Sequence, residues 1–479
     1  MSDGGGGGDC GGGFSGGGDC NGNGFYGGII YDTGSSSSRP DGKRMMRIEG
    51  GSSIGSTLHV EIRLKRGVTK NDGAGAKDLV RSYLLDIGYA SNNTSLSVSE
   101  RPELTNIVEK VIVGQSSLKD GQTVTFTETS LRDGSAKYYL YRLKRGDVIA
   151  QEVSANANDE DHTVGSHQWE LPNADFDDMW ENLVFEDNIK NELLTYVYAL
   201  LQIADKGLDS SILTANRVVL LHGPPGTGKT TLCKALAQRL AVRMNGRYRN
   251  AIFVEINSHS LFSKWFSESG KLVAKMFEQV CELLEDPHCL VFVLIDEVES
   301  LTMSRQMAMN RNEPSDSVRA VNALLTEIDR IRRYPNVLVL TTSNLSDSVD
   351  PAFLDRADIK RLVPPPSPRA IYVIFLSCVK ELQRGGLVDP VIGLLPDPWR
   401  VGGSYTNASG ELSYRLLKIA EKSVGLSGRT LRKLPVLAYS KRPLDMVPLD
   451  EFLDAMEAAV SEQFGDCQNA GHIVNGDSH

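Results

Sequence analysis

No two cysteines stand in a C-x-x-C pair. The seven, Cys10, Cys20, Cys233, Cys281, Cys289, Cys378 and Cys467, form neither a zinc-ligand spacing nor an even disulfide framework. Such spacing points away from a zinc site and reads as reduced intracellular thiols. No apolar run approaches the roughly 18 residues of a membrane span, and the glycine-rich start lacks the apolar stretch of a signal peptide. A soluble protein of the cytoplasm or nucleus, with no membrane partner, is therefore expected. Positive charge is also short. With 51 basic against 61 acidic residues the net charge is −10, which disfavours holding a phosphate backbone with the whole surface, so no direct nucleic-acid binding is expected. No internal repeat is visible.

What is present divides the 479 residues into several parts, as a chain of this length should. Residues 1–43 are glycine-rich, bury too little apolar area to offset ordering entropy, and read as a disordered tail. Residues 45–150 change to alternating apolar and polar positions. His59 to Leu64, Thr123 to Phe126 and Tyr138 to Tyr141 read as strands and Ala76 to Ile87 as an amphipathic helix, giving a small α+β domain. It carries no set of nucleophile, base and metal ligands, so recognition is expected of it. Residues 151–168 are polar and acidic and read as a linker. Within 169–368, short apolar runs at Val218 to Leu221, Ala251 to Ile256, Leu290 to Ile295 and Val337 to Leu340 alternate with helical patterns, which predicts an α/β parallel sheet covered on both faces. Residues 369–464 read mostly as helices, with a Gly/Pro-rich stretch at Gly385 to Gly410, and 465–479 as a tail.

The run at Leu220 leads into His222 and then Gly223-Pro224-Pro225-Gly226-Thr227-Gly228-Lys229-Thr230-Thr231. G-x-x-x-x-G-K-[ST] between a strand and a helix is a phosphate-binding loop. Its backbone N–H groups surround phosphates, Lys229 reaches the β/γ oxygens, and the Thr230 hydroxyl is left for a magnesium ion. Some sixty residues on, the apolar strand Val291 to Ile295 ends in Asp296-Glu297. Ionised carboxylates beside a core need a partner, and a magnesium held jointly with Thr230 supplies one for Asp296. Glu297 is then placed as general base for the attacking water. The next strand ends in Thr341-Thr342-Ser343-Asn344, at the strand ends where open α/β sheets bind ligands, so Asn344 is placed to orient that water or touch the γ-phosphate. Arg356 and Arg429 cannot be assigned from spacing. In Lys264-Trp265-Phe266 the adjacent aromatics cannot both face one core from a helix, since neighbours point about 100° apart. A loop presenting Trp265 is the outcome, with packing under the following helix as the alternative.

Gly223 to Thr230, the strand ending in Asp296-Glu297, Ser343-Asn344, Asp350 to Leu354 and Ser427-Gly428-Arg429 together resemble an AAA+ ATPase module, a P-loop parallel sheet with a C-terminal helical lid. Four stretches, Ile256 to Lys271, Val293 to Leu301, Asp355 to Lys360 and Gly425 to Pro435, are similar to the pachytene checkpoint protein 2 family. The similarity is strong over about 169–464 and rests on size and position over 45–150.

That resemblance implies a homohexameric ring using ATP and Mg2+ to unfold part of a HORMA-domain protein, with a Comet-type adaptor. Its settings would be meiotic recombination and synapsis at chromosome axes in the nucleus, and spindle-checkpoint recycling. Carried over by position, it implies that Gly223 to Thr231 bind nucleotide, Thr230 and Asp296 hold the metal, and Glu297 is the hydrolytic base. It makes Asn344 the first sensor, Arg429 the second sensor in the lid, Arg356 a finger in a neighbour's site, and Lys264-Trp265-Phe266 a substrate-gripping pore loop. Thr302 to Pro314 would be a second channel loop. Many AAA+ proteins place two arginines after a Gly-rich approach to the finger helix. Asp355-Arg356-Ala357-Asp358 stands here instead, which leaves open which arginine acts. The rivals are a nucleic-acid motor or clamp-loader-like ATPase, which shares every nucleotide residue named, and a nucleotide-switched scaffold.

Overall fold

The computed structural model describes residues 57–476 apart from 69–72, 74, 100, 154–162, 207–211, 214, 257–268, 300–314, 345–348, 392, 396–407 and 442–444. The expected tail 1–43 lies outside them, as do both channel loops.

In the N-terminal domain, β1 (Leu58–Leu64), β2 (Tyr89–Ser91), β3 (Thr94–Leu96), β4 (Val108–Gln115), β5 (Thr123–Thr125) and β6 (Ala136–Tyr141) surround the helix Ala76–Ile87. Four of the strands form one sheet in the order β3-β4-β1-β6, with β1 antiparallel to β4 and parallel to β6. Successive strand residues face opposite sides. Val60 and Ile62 accordingly pack with Val111, Val113, Val80 and Leu84 in the domain core. The opposite face of β1 carries His59, Glu61 and Arg63, and all three are buried as well. They meet not water but the next domain.

That domain is built on seven strands. To β7 (Ile149–Val153) and β8 (Thr163–Leu171) it adds β9 (Val218–His222), β10 (Asn250–Ile256), β11 (Cys289–Ile295), β12 (Val337–Ser343) and β13 (Ile359–Leu362). Their order is β13-β9-β12-β11-β10-β8-β7. The first five are parallel, and β8 then pairs antiparallel with β10 and β7 antiparallel with β8. The doubly covered sheet shows directly in β11. Val291, Val293 and Ile295 enter the core beneath the helices Ser269–Leu284 and Ser315–Ile331, while Leu290, Phe292 and Leu294 enter the core beneath the helix Lys229–Arg243.

The sheet corrects one expectation. Residues 151–168 are not a connector throughout, because the end of β7 and most of β8 lie within them. Ser166 to Leu171 pair residue by residue with Ile256 to Ala251, so the backbone ladder along β10 makes the strand whatever the hydropathy of Ser166, His167 and Gln168.

The helices Pro368–Arg384, Ala408–Lys422, Gly428–Ser440 and Leu449–Gly476 form a separate cluster around Phe375, Leu416, Leu431 and Phe452. Its first helix starts where Ser367 accepts a hydrogen bond from the Ala370 amide and Pro368 takes the first position, a pairing of cap and proline suited to a helix start. Its last helix runs through Gly476, so residues 465–476 are helical, not the tail expected from composition.

A buried ion cluster joins the N-terminal domain to the sheet domain. Glu61, 3 % exposed on β1, accepts from Arg239 Nε at 3.0 Å and from Arg243 Nε at 2.7 Å, both on the helix Lys229–Arg243. Burial alone would raise the Glu61 carboxyl, but the two guanidiniums hold it below the usual glutamate value. Removing one member strands the others in a low-dielectric site. Glu61→Ala is therefore expected to cost about 3–5 kcal/mol of stability by chemical denaturation. An unchanged midpoint would mean that the two arginines reach water in the variant.

Candidate active site

The strand β9 delivers the chain to Gly223, and the helix Lys229–Arg243 carries it away. Between them the loop must turn through left-handed backbone. Gly226 lies at φ 73° and Gly228 at φ 95°, where a Cβ is disfavoured. A Cβ on Gly228 would also sit 2.9 Å from Leu183 Cδ2, and one on Gly226 2.9 Å from Ser427. Both glycines are thus required twice, by conformation and by the close approach of the neighbouring wall.

Lys229 Nζ donates to Gly223 O and Pro224 O at 2.8 Å each and to Asn344 Oδ1 at 2.9 Å. Burial pushes the Lys229 ammonium below the usual lysine value, against the opposing pull of Glu299, Asp296 and Glu297. Thr227 Oγ1 closes the loop by donating to Pro224 O at 3.0 Å. Thr230 Oγ1 donates to both Asp296 oxygens, at 2.9 and 3.2 Å, and Thr342 Oγ1 also donates to Asp296 Oδ1. Glu297 follows at φ 54°, a left-handed conformation uncommon for a residue with a side chain. Its own N–H donates to Thr342 Oγ1 at 3.1 Å and the next amide, Val298 N, to Thr342 O at 3.0 Å. Asn344 Nδ2 donates to Glu297 Oε1 at 3.3 Å. One amide side chain therefore spans the loop lysine and the second acid.

These groups line a cavity of about 560 Å3, large enough for a nucleotide. Pro225 to Thr231, Asp296, Glu297, Asn344 and Arg429 all reach it, the last from the lid helix Gly428–Ser440. Gly223 and Pro224 form the back of the loop behind Lys229. Arg356 does not reach the cavity. It ends the helix Pro351–Arg356 and is bound side-on to Asp329, Nε to Oδ1 at 3.1 Å and Nη2 to Oδ2 at 2.7 Å, with Nη1 on Ala352 O at 2.6 Å. Lys264, Trp265 and Phe266 lie outside the described residues.

Sequence reasoning missed the rest of the wall. Asn182 to Phe185 from before the helix Ile189–Asp205, Pro364 and Pro366 after β13, and Ile374 and Arg432 from the lid all border the cavity. Leu183-Val184-Phe185 is an apolar run too short to carry a period, and no spacing ties it to a loop forty residues later. Arg432 lies one turn beyond Arg429 on the lid helix, whose start at Ser427 the structure supplies.

A phosphate loop, an acid pair at the end of the buried strand next but one in the sheet and a helical lid closing over both define an AAA-type ATPase. The family model for the ATPase family associated with various cellular activities matches residues 219–365. Two further models match on either side, a Pch2 N-terminal domain at 54–143 and a TRIP13-like AAA+ ATPase lid C-terminal domain at 367–464. The chain belongs to the pachytene checkpoint protein 2 family. The Mus musculus pachytene checkpoint protein 2 homolog is 51 % identical over 415 residues, covering 85 % of this chain and 93 % of its own. The Homo sapiens homolog is 42 % identical over 414 residues, with the same coverage. Among solved structures, C. elegans PCH-2 superposes with a TM-score of 0.71 at 39 % identity, covering 86 % of this chain and all of that one.

Proposed function

We propose that this ATPase is a homohexameric remodeller that partially unfolds HORMA-domain proteins, presented by a Comet-type adaptor to the N-terminal domain. Its settings in this reading are the nuclear chromosome axis, in control of meiotic synapsis and recombination, and recycling of spindle-checkpoint protein reaching into the cytoplasm. The observation that carries it is the match of a Pch2 N-terminal domain at 54–143 and a TRIP13-like lid at 367–464 on either side of an AAA ATPase match at 219–365. A nucleic-acid motor would share the nucleotide residues but not the N-terminal and lid matches.

In hydrolysis, the loop amides and Lys229 hold the β/γ oxygens of ATP while the lid brings Arg429 over them. The Thr230 hydroxyl and the Asp296 carboxylate, an all-oxygen pair already in contact, fit a hard cation and would hold magnesium, which when bound neutralises phosphate charge. Glu297 takes the proton of the attacking water, and Asn344 keeps that carboxylate in register with Lys229. Arg356, held outside its own cavity, serves the site of the neighbouring subunit.

Work on the client is assigned to Trp265. Trp265→Ala should bind nucleotide as the unmutated protein does and lose client unfolding, read as release of a bound peptide from the HORMA protein. Full unfolding by the variant would return Trp265 to the core and remove the gripping role.

A further inference from the structure

Two residues beyond Glu297, the chain turns a third acid inward. Glu299 is 7 % exposed, and its Oε1 accepts the backbone N–H of Asn344 at 3.0 Å. The need for that acceptor follows from where β12 stops. Its last pairing is Ser343 with His222 on β9, and Ser343 O takes the Gly223 amide, so Asn344 is the first residue past the ladder. A half-buried amide in that position, past the end of the ladder, needs an acceptor, and the Glu299 carboxyl oxygen supplies it.

The left-handed turn at Glu297 makes this reach possible. It sends Val298 into the sheet core, where its side chain is buried and its amide meets Thr342 O, and so returns Glu299 toward the end of β12. One turn thereby places alternate acids on two tasks, Glu297 at the cavity and Glu299 behind Asn344.

We infer that Glu299 is a positioning residue for ATP hydrolysis, fixing the backbone of Asn344 so that its side-chain amide bridges Lys229 and Glu297. It does not itself line the cavity but stands behind Asn344, which does. It acts through Asn344, and the proposal rests on the reading of Asn344 as a hydrolytic residue.

The test is a double-mutant cycle on the full chain, with ATP affinity and steady-state hydrolysis measured separately. Glu299→Ala leaves the Asn344 amide without this acceptor and is expected to lower kcat on the order of 10- to 100-fold while ATP affinity stays within about threefold. Glu299→Gln keeps an oxygen acceptor of the same reach and should recover most of the loss, and it stands in if the alanine variant does not fold. In the Asn344→Ala background, Glu299→Ala should add little, since both act through one side chain. Independent, multiplicative losses would overturn the proposal, as would an unchanged kcat in Glu299→Ala or a loss confined to stability and ATP affinity. If Asn344→Ala itself hydrolyses ATP normally, the failure belongs to the reading of Asn344 and not to the contact made by Glu299.

Discussion

Exchanging Glu297 for glutamine is expected to leave ATP bound and to cut hydrolysis by roughly 10²–10⁴-fold, the range a general base contributes. The substitution isolates proton transfer because little else changes. Glutamine has the same length and its Oε1 can still accept from Asn344 Nδ2, as the carboxylate does at 3.3 Å. The backbone at φ 54° is held by Thr342 through two hydrogen bonds that do not involve the side chain, so the turn should survive. Lys229, Thr230 and Asp296 are untouched, and with them the grip on phosphate. Affinity measured with a fluorescent ATP analogue should match the unmutated protein, while phosphate release falls to near background. The ATP-loaded variant should also retain a HORMA client in a pull-down. Normal turnover would transfer the role of base to another group.

Local, contiguous signals were legible in the sequence, and contacts between distant segments were not. The helix Ala76–Ile87 and the run Val291 to Ile295 announce themselves through hydrophobic period, and the structure places both there. The phosphate loop is equally local, since one turn of backbone performs its task. The strand β8 and the four-residue edge strand β13, with Lys360 and Arg361 in it, carry polar residues and become strands only because β10 and β9 offer them ladders. No pattern could show that Glu61 faces Arg239 and Arg243 across 178 and 182 residues of chain. Leu183 to Phe185 became cavity wall for the same reason, through folding against Gly228 and the lid. Residue chemistry brought Asp296, Glu297 and Asn344 into view. The parts given to Arg356, Arg429 and Trp265 rested on family resemblance, because an isolated arginine or tryptophan has no spacing to interpret.

Replacing Arg356 with alanine should lower ATP hydrolysis by roughly 10³–10⁵-fold, the contribution of arginine fingers where one reaches a transferring phosphoryl group. Within its own chain the guanidinium is outside the cavity, 25 % exposed and held by Asp329, whose hydrogen bonds raise it above the usual arginine value. The charge is therefore permanent and anchored at the end of a short, capped helix, where Asp350 accepts from the Ala352 amide at 2.7 Å. A rigidly presented cation that cannot serve its own site is suited to a neighbour's, and this predicts a result that a residue acting within one subunit would not give. Arg356→Ala and Glu297→Gln should each be nearly inactive alone. Subunits of the two kinds assembled together should regain part of the activity, because some interfaces then join an intact Glu297 to an intact Arg356 from the next subunit. Rescue should grow with the mixing ratio toward equality and vanish when the subunits are prevented from exchanging. If mixed assemblies stay inactive while each variant still binds ATP and assembles, Arg356 does not act across the interface. If Arg356→Ala alone keeps full activity, another arginine is the finger.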